Sequence, residues 1–468
     1  MSQVLILGGG PSGVGAAWQL RQSGKADVDL LEREMRLGGN AGSFEWKGHR
    51  LDYGSHRLHP ATDAKILADI QGLLGDDLLD RPRHGRIRLR GRWLHFPLKP
   101  VDLALRTDRA FLFGTLKDAI KKAPAPPGDE SFATVLRANL GPTICDHFYF
   151  PYAQKIWGRD PHQLAAVQAH RRVSAGSFGK LVRKVLGSLP GLKKPGAGRF
   201  YYPRDGFGAI TEAYAAEAAR RGARIHLGHE VRGLRRRTGG WSVEATTADG
   251  QPGAFEADQI WSTIPVTVLV RLLGEGVPAE VQDATRGISY RSMVLCYLDL
   301  EVDQFTEFDA HYFPGIDLQL TRLSEPKNYA VRTEPAGRTV LCAEIPCDLG
   351  DAIWKASDRE LGDRVAEDLA LAGIPLPRPY SDVTTRRLPQ AYPIYERGFE
   401  APLELLDHYV SSCDDLLSFG RQGLFAHDNT HHTLAMAYAA VDCLSPEGFD
   451  KTRWRDYRKI FETHVVED

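Results

Sequence analysis

Val4–Leu7 is an unbroken apolar run, the pattern of a strand buried on both faces of a parallel sheet. A glycine turn follows. From Val14 to Gln22 apolar positions return at helical spacing, and Gly24 closes the segment. Asp27–Leu31 predicts a second strand that ends at Glu32. Far down the chain the alternation resumes. Ala209–Arg221 reads as a helix, Ala223–Leu227 and Glu230-Val231 as short strands, and Trp241–Ala245 as a continuation of that sheet. Ile288–Leu300 and Arg338–Ile345 are strand-like and predict a second sheet extending to Tyr395. Leu417–Phe419 reads as a short strand broken by Gly420–Gly423. The helix Thr433–Leu444 follows, with Asn429 or Thr430 as its cap. Strands alternating with helices predict an α/β fold.

Composition narrows the function classes. The chain has 468 residues, enough for a large core or for interleaved domains. Lys+Arg total 59 and Asp+Glu total 60, so a globally basic nucleic-acid binder is not expected. The six cysteines form no CxxC pair, and no histidine cluster has zinc-ligand spacing, so no metal is expected. No apolar run has the length of a membrane span. The N-terminus runs directly into strand and glycine turn, which predicts a reducing, cytoplasmic setting.

The turn Gly8-Gly9-Gly10-Pro11-Ser12-Gly13 fits GxGxxG between a strand and a helix. Gly8 suits the tight turn, Gly10 the close approach of a pyrophosphate, and Gly13 the packing of helix on strand. The free N–H groups at the helix start, with Pro11 and Ser12, attract phosphate. Glu32 stands where a carboxylate accepts hydrogen bonds from a ribose diol. Taken together, strand, turn, helix, strand and acid point to a dinucleotide.

The next segment resembles the FAD-dependent amine oxidase superfamily, whose second fingerprint is ExxxRxGG. Glu32, Arg36, Gly38 and Gly39 match it, with Arg33 inside the run and Asn40 where the family has Arg. The resemblance implies that Arg36 pairs with phosphate and that Gly38-Gly39 pass close to the cofactor. Asp52-Tyr53-Gly54-Ser55-His56-Arg57 resembles the "D-x-G-x-H-R" stretch of protoporphyrinogen-oxidase-like proteins and the "G-x-H" stretch of UDP-galactopyranose mutases. This implies Gly54 and Ser55 beside the flavin, with His56 or Arg57 supplying positive charge near the ring. Further matches are Gly91–Pro97, Tyr152–Gly158, Tyr202–Gly208, Gln259–Pro265 as a return strand, and Arg322–Asn328 as "R-x-S-E-P-K-N". By position Val231 offers its backbone to the adenine. Gly420, Asn429, His432 and Thr433 belong to the last FAD motif, a helix start aimed at the flavin.

The resemblance implies a Rossmann-type FAD-binding domain (1–60, 200–285 and 400–445). It is interleaved with a mixed-sheet plus helical substrate domain (61–199 and 286–399), and 446–468 form a C-terminal helix and tail. The implied activity is hydride transfer from a small substrate to flavin N5. Arg322, Tyr392, Tyr395 and Arg421 are the substrate candidates, and His56, Arg57 and His431 sit near the ring. The rival is a mutase-like isomerisation of a sugar nucleotide without net redox. A third reading is a non-catalytic binder of a polyanion or membrane.

Between Asp160 and Asp205 there is no acidic residue, but Arg171, Arg172, Lys180, Arg183, Lys184, Lys193, Lys194, Arg199 and Arg204 lie there. This predicts an anionic partner, a sugar nucleotide or a carboxylate. The apolar spacing of Val182, Val185, Leu186 and Leu189 also fits peripheral membrane contact.

Overall fold

The apolar run at the N-terminus becomes the middle strand of a five-stranded parallel sheet. The computed structural model describes residues 2–98, 100–120, 130–172 and 198–466. The spatial order is Leu416–Ser418, Gln259–Ser262, Ser2–Leu7, Ala26–Glu32 and Arg224–Leu227. Ile6 pairs with Leu30 on one side and with Trp261 on the other. Val4 and Ile6 enter one core, and Leu5 and Leu7 enter the core on the opposite face. That two-sided burial is why the strand has no polar alternation.

The helix Pro11–Ser23 packs on one face beside Ala209–Arg220 and Thr430–Asp442. Trp18 meets Tyr214 edge-on, with ring centroids 4.9 Å apart. Gly15 faces Leu434 and Ala437, and a Cβ there would lie 2.8 Å from the Leu434 side chain. The helix pair is therefore close-packed through a small residue.

Trp241–Ala245 continues from Glu230-Val231, with Val231 paired to Ala245, but not from Ala223–Leu227, which joins the parallel sheet. It lies in a separate three-stranded antiparallel sheet of His229–Arg237, Gly240–Thr247 and Pro252–Ala257. The tight turn before Gly240 reverses the chain and makes this ladder antiparallel.

The second large sheet has seven strands. Their order is Asp382–Ile394, Ser289–Leu300, Thr339–Cys347, Arg322–Ser324, Ala310–Tyr312, Gly85–Leu89 and Arg92–Phe96. The last, Arg92–Phe96, falls on the Gly91–Pro97 match, which reads as a strand, while Gly85–Leu89 was not anticipated. They join through a parallel pairing of Ile87 with Tyr312. The helices Phe132–Leu140, Phe150–Trp157 and Ala166–Arg172 flank this sheet. Lys155 fastens one of them, donating to the carbonyls of Phe313 (2.8 Å) and Leu320 (2.9 Å).

Much of the "R-x-S-E-P-K-N" match is scaffold. Glu325 accepts the backbone N–H groups of Phe305 and Thr306 (both 2.9 Å). Lys327 donates to the carbonyls of Pro335 and Arg338 (both 2.7 Å). Such bonds satisfy polar groups that a loop would otherwise bury unpaired. Lys180, Arg183, Lys184, Lys193 and Lys194 lie outside the described residues. Of the same stretch, Arg199 pairs with Asp80 (2.7 Å) and Arg204 with Asp77 (3.0 Å). Among the described residues no helix is long and apolar enough to cross a membrane.

Candidate active site

The parallel strands end at Leu7, Glu32, Ser262 and Leu227, and the chain leaving them borders a cavity of about 520 Å³. Ligands of open α/β sheets bind outside the carboxyl ends of the strands, as here. The seven-stranded sheet closes the other side with Arg322, Arg386, Arg387, Leu388, Pro389 and Gln390.

The glycine turn shapes one wall. Gly8 has φ +101°, and a Cβ at Gly13 would lie 1.9 Å from the Gly8 carbonyl oxygen. Gly10 differs, because nothing lies within 4 Å of a Cβ built there. Its open side faces the cavity, which Pro11 and Ser12 also line. Ser12 donates its hydroxyl to the Thr433 carbonyl (3.2 Å) and so ties two helix starts together. Gly420 packs against Ser12, where a Cβ would lie 2.6 Å from the hydroxyl oxygen. Glu32 accepts the N–H groups of Gly9 (2.7 Å) and Glu34 (2.9 Å), and its carboxylate lies at the rim.

Of the expected cofactor residues, Gly8, Gly10, Pro11, Ser12, Glu32, Arg33, Arg36, Gly39, Asn40, Ser55, His56, Val231, Asn429 and Thr433 line the cavity. Gly13, Gly38, Gly54, Gly420 and His432 lie behind the lining. Arg36 stacks over Tyr53 at 3.5 Å and donates to the Gly39 carbonyl (2.9 Å). It thereby holds the Gly38-Gly39 turn as well as facing the cavity.

The "D-x-G-x-H-R" stretch is held from below. Asp52 accepts from the Ser43 hydroxyl (2.6 Å), the Tyr202 hydroxyl (2.6 Å) and the Phe207 N–H (2.8 Å). This joins the "YP-x-x-G-x-G" match to the stretch. His56 is not a source of charge. Burial lowers its pKa more than Asp52 raises it, so the ring is neutral. Its Nε2–H donates to the Tyr53 carbonyl (2.9 Å), and the ring stacks on Phe207. Arg57 carries the charge. Burial opposes it, but Tyr312, Tyr329 and Asp309 more than compensate. It donates to the Tyr312 hydroxyl (2.9 Å) and to Asp309 (3.2 Å).

Arg322 reaches the cavity in a two-pronged pair with buried Glu344 (2.9 and 2.8 Å). Glu344 also accepts the Ser55 N–H (2.8 Å), which links the seven-stranded sheet to the "D-x-G-x-H-R" stretch. Glu344 is absent from the sequence-based candidates. Its only signal is an acid inside an apolar strand, Leu341–Ile345. Arg83, Arg386 and Arg387 were also missed, although the tandem Arg386-Arg387 is a visible interruption of a strand.

Arg421 lines the cavity, donates to the Ala391 carbonyl (2.9 Å) and lies over the Tyr392 ring. Tyr392 and Tyr395 are not part of the lining. Tyr395 packs flat on Phe399, and its hydroxyl donates to the Phe425 carbonyl (2.8 Å). A strand sends alternate side chains to opposite faces, and Tyr395, just past its end, faces the hydrophobic side. His431 lies behind the cavity next to His432, with ring centroids 4.0 Å apart. Burial, with neighbouring imidazoles, pushes the pKa of His431 to about 4 and that of His432 to about 2.

The spacing of the histidines gave no metal expectation, yet folding gathers Asp428, His432 and His464 within ligand distance of one another. His464 comes from the segment after the last helix, Lys451–Phe461.

A glycine turn on a parallel sheet, an acid at the second strand end and a roofing sheet define a dinucleotide-dependent enzyme fold. The chain belongs to the flavin containing amine oxidoreductase family, whose model matches residues 11–432. Its cofactor is FAD. The residues fit that group, because the open side of Gly10 and the rim carboxylate of Glu32 border one continuous cavity.

The fold is also similar to that of solved structures. A reduced UDP-galactopyranose mutase is 20% identical over 100% of both chains, with a TM-score of 0.80. A protein from Exiguobacterium sp. 255-15 described as a protoporphyrinogen oxidase is 19% identical over 94% of this chain and 98% of that one, with a TM-score of 0.70. A putrescine oxidase bound to putrescine is 17% identical over the same shares, with a TM-score of 0.64.

Proposed function

We propose that the protein is an FAD-dependent oxidoreductase that takes a hydride from a small anionic substrate. The supporting observation is the charge of the cavity. Arg33, Arg36, Arg57, Arg83, Arg322, Arg386, Arg387 and Arg421 line it, against the carboxylates of Glu32, Glu34, Glu230 and Asp428. Asp309 and Glu344, behind the lining, offset Arg57 and Arg322, and the pyrophosphate of FAD offsets much of the rest, so a second anion would be held by guanidinium hydrogen bonds rather than by a large charge surplus.

In this reading Gly8, Gly10, Pro11 and Ser12 receive the pyrophosphate, Glu32 the ribose and the Val231 backbone the adenine. The helix start at Asn429 and Thr433 directs partial positive charge at the flavin. FAD, when bound, accepts the hydride at its N5. Arg322 and Arg421 hold and orient the anion, while the Glu344 pair keeps Arg322 fixed, which limits the entropy lost on substrate binding. Neutral His56 orients with Nε2–H turned to the backbone, leaving Nδ1 as an acceptor.

A second reading, isomerisation of a sugar nucleotide without net electron transfer, is favoured by the full-length likeness to a UDP-galactopyranose mutase. Its diphosphate suits the same arginines. The test starts from the absorbance of desalted protein and of its acid-released chromophore, followed by anaerobic screening of anionic substrates for flavin bleaching. Bleaching with steady acceptor consumption supports the oxidoreductase. Turnover only after prereduction, with no acceptor consumed, refutes it in favour of the isomerase.

A further inference from the structure

Among the described residues, a set of metal-ligating side chains gathers where the chain's C-terminal segment crosses the start of the helix Thr430–Asp442. Asp428 is buried, with a side chain only 4% exposed. Its Oδ2 lies 3.1 Å from His464 Nδ1, and its Oδ1 lies 3.8 Å from His432 Nδ1. The His432 and His464 rings stack at 15°, with centroids 4.2 Å apart. One potential ligand atom from each residue lies within 4.8 Å of the others.

The geometry points to a divalent transition-metal site of the zinc class, formed by Asp428, His432 and His464. It clasps the C-terminal segment to the loop bordering the cavity.

Zinc bonds to histidine nitrogen and carboxylate oxygen are about 2.0–2.2 Å long, which in a tetrahedron separates ligand atoms by roughly 3.3 Å. The two measured separations bracket that value, and the stacked rings must turn apart so that both Nδ1 lone pairs point at one ion. Imidazole and carboxylate together suit zinc and its neighbours better than calcium or magnesium, which prefer all-oxygen shells. The ion would bring its two positive charges to a buried carboxylate. Two competing bonds exist: His464 Nδ1–H donates to Asp428 Oδ2 at 3.1 Å and must lose its proton to the ion, and His432 Nδ1 accepts the Asn429 N–H at 3.3 Å. The second is half of the capping box of the helix Thr430–Asp442, so metal binding must outweigh a loosened cap as well as the first bond. Three protein ligands leave a fourth position for water, the arrangement of an open rather than a closed zinc site.

The clasp has a structural consequence. The segment after Phe461 is otherwise held by few polar bonds, among them the Val466 N–H to the Arg171 carbonyl (2.9 Å). Asp428 lines the cavity, so the ion would connect the tail to the cavity wall. The inference does not depend on the substrate reading, because its test measures metal alone.

The experiment uses untagged holoprotein, stripped with chelator and desalted. Zn2+ is titrated against a competing dye, and metal content is read by mass spectrometry. The expected result is one tightly held ion per chain. His464→Gln should weaken binding more than about 100-fold, beyond the 10- to 100-fold loss from removing an outer partner. His464→Cys keeps a ligand, and its Co2+ difference spectrum should show a thiolate-to-metal charge-transfer band absent from wild type. This variant also guards against misfolding of the glutamine variant. Wild-type protein that binds no stoichiometric Zn2+, or His464→Gln that binds as tightly as wild type, overturns the inference. A Co2+ spectrum of His464→Cys without the new band does so as well.

Discussion

Two glycines of one turn should fail in different ways when each becomes alanine. Gly10 has φ −75° and ψ 178°, an extended conformation open to any residue, and its Cβ would meet no atom within 4 Å. Gly10→Ala should therefore change folding stability by no more than about 1 kcal/mol, the usual scale of a cap substitution. The added methyl group instead occupies space into which the pyrophosphate must come. Displacing it forfeits about one charge-assisted hydrogen bond, worth about 1.5–3 kcal/mol. That is about a 10- to 100-fold loss of FAD affinity. At Gly13 the Cβ would sit 1.9 Å from the Gly8 carbonyl oxygen, a backbone atom that cannot rotate away. Strand and helix must separate, at a cost of about 3 kcal/mol, the upper end for overpacking. Gly13→Ala should lower both the urea midpoint of the apoprotein and FAD affinity. Urea unfolding followed by tryptophan emission, together with FAD titration by fluorescence quenching, separates the two effects. The reasoning is refuted if Gly10→Ala binds FAD within twofold of wild type, or if Gly13→Ala keeps the wild-type midpoint.

Other consequences follow from buried polar groups. Glu344→Gln strands the Arg322 charge and should cost about 3 kcal/mol; in a double-mutant cycle with Arg322→Met the coupling should exceed about 1 kcal/mol, and independent effects would dismiss the pair. His311 is fully buried. Burial, then Arg86, lowers its pKa to about 3, so the unfolded state takes up the proton first. Its contribution is intact above about pH 6.5 and is lost as pH falls toward 3; the acid slope of the urea midpoint should flatten in His311→Asn, and an unchanged slope would contradict this. Tyr202→Phe removes a 2.6 Å bond to buried Asp52 and should cost about 1–2 kcal/mol of stability, while a neutral effect would mean that the Asp52 cluster does not pin the stretch.

The cofactor half was legible because its determinants are local. The strand Ser2–Leu7, the turn, the helix Pro11–Ser23 and the strand Ala26–Glu32 follow one another, and each announces itself by pattern or by a residue with one steric role. Helix boundaries at Ala209–Arg220 agree within one residue for the same reason. The seven-stranded sheet was less legible. Gly85–Leu89 and Arg92–Phe96 join the second sheet through an edge pairing with residues more than two hundred positions away. No local pattern encodes that choice of partner.

Site chemistry divides along the same line. Sequence alone determined the residue types at the strand ends that line the cavity, since the turn, the helix start and the acid act through backbone geometry and near neighbours. Arg322 and Arg421, both singled out from the sequence, line the same cavity. Only the tertiary structure decided which charges survive burial: His56 is neutral, Arg57 is charged and Arg322 is tied to Glu344. It turned Tyr395 into the core and brought His464 to Asp428 and His432. Those outcomes depend on desolvation and on contacts between distant segments, and both exist only once the chain has closed on itself.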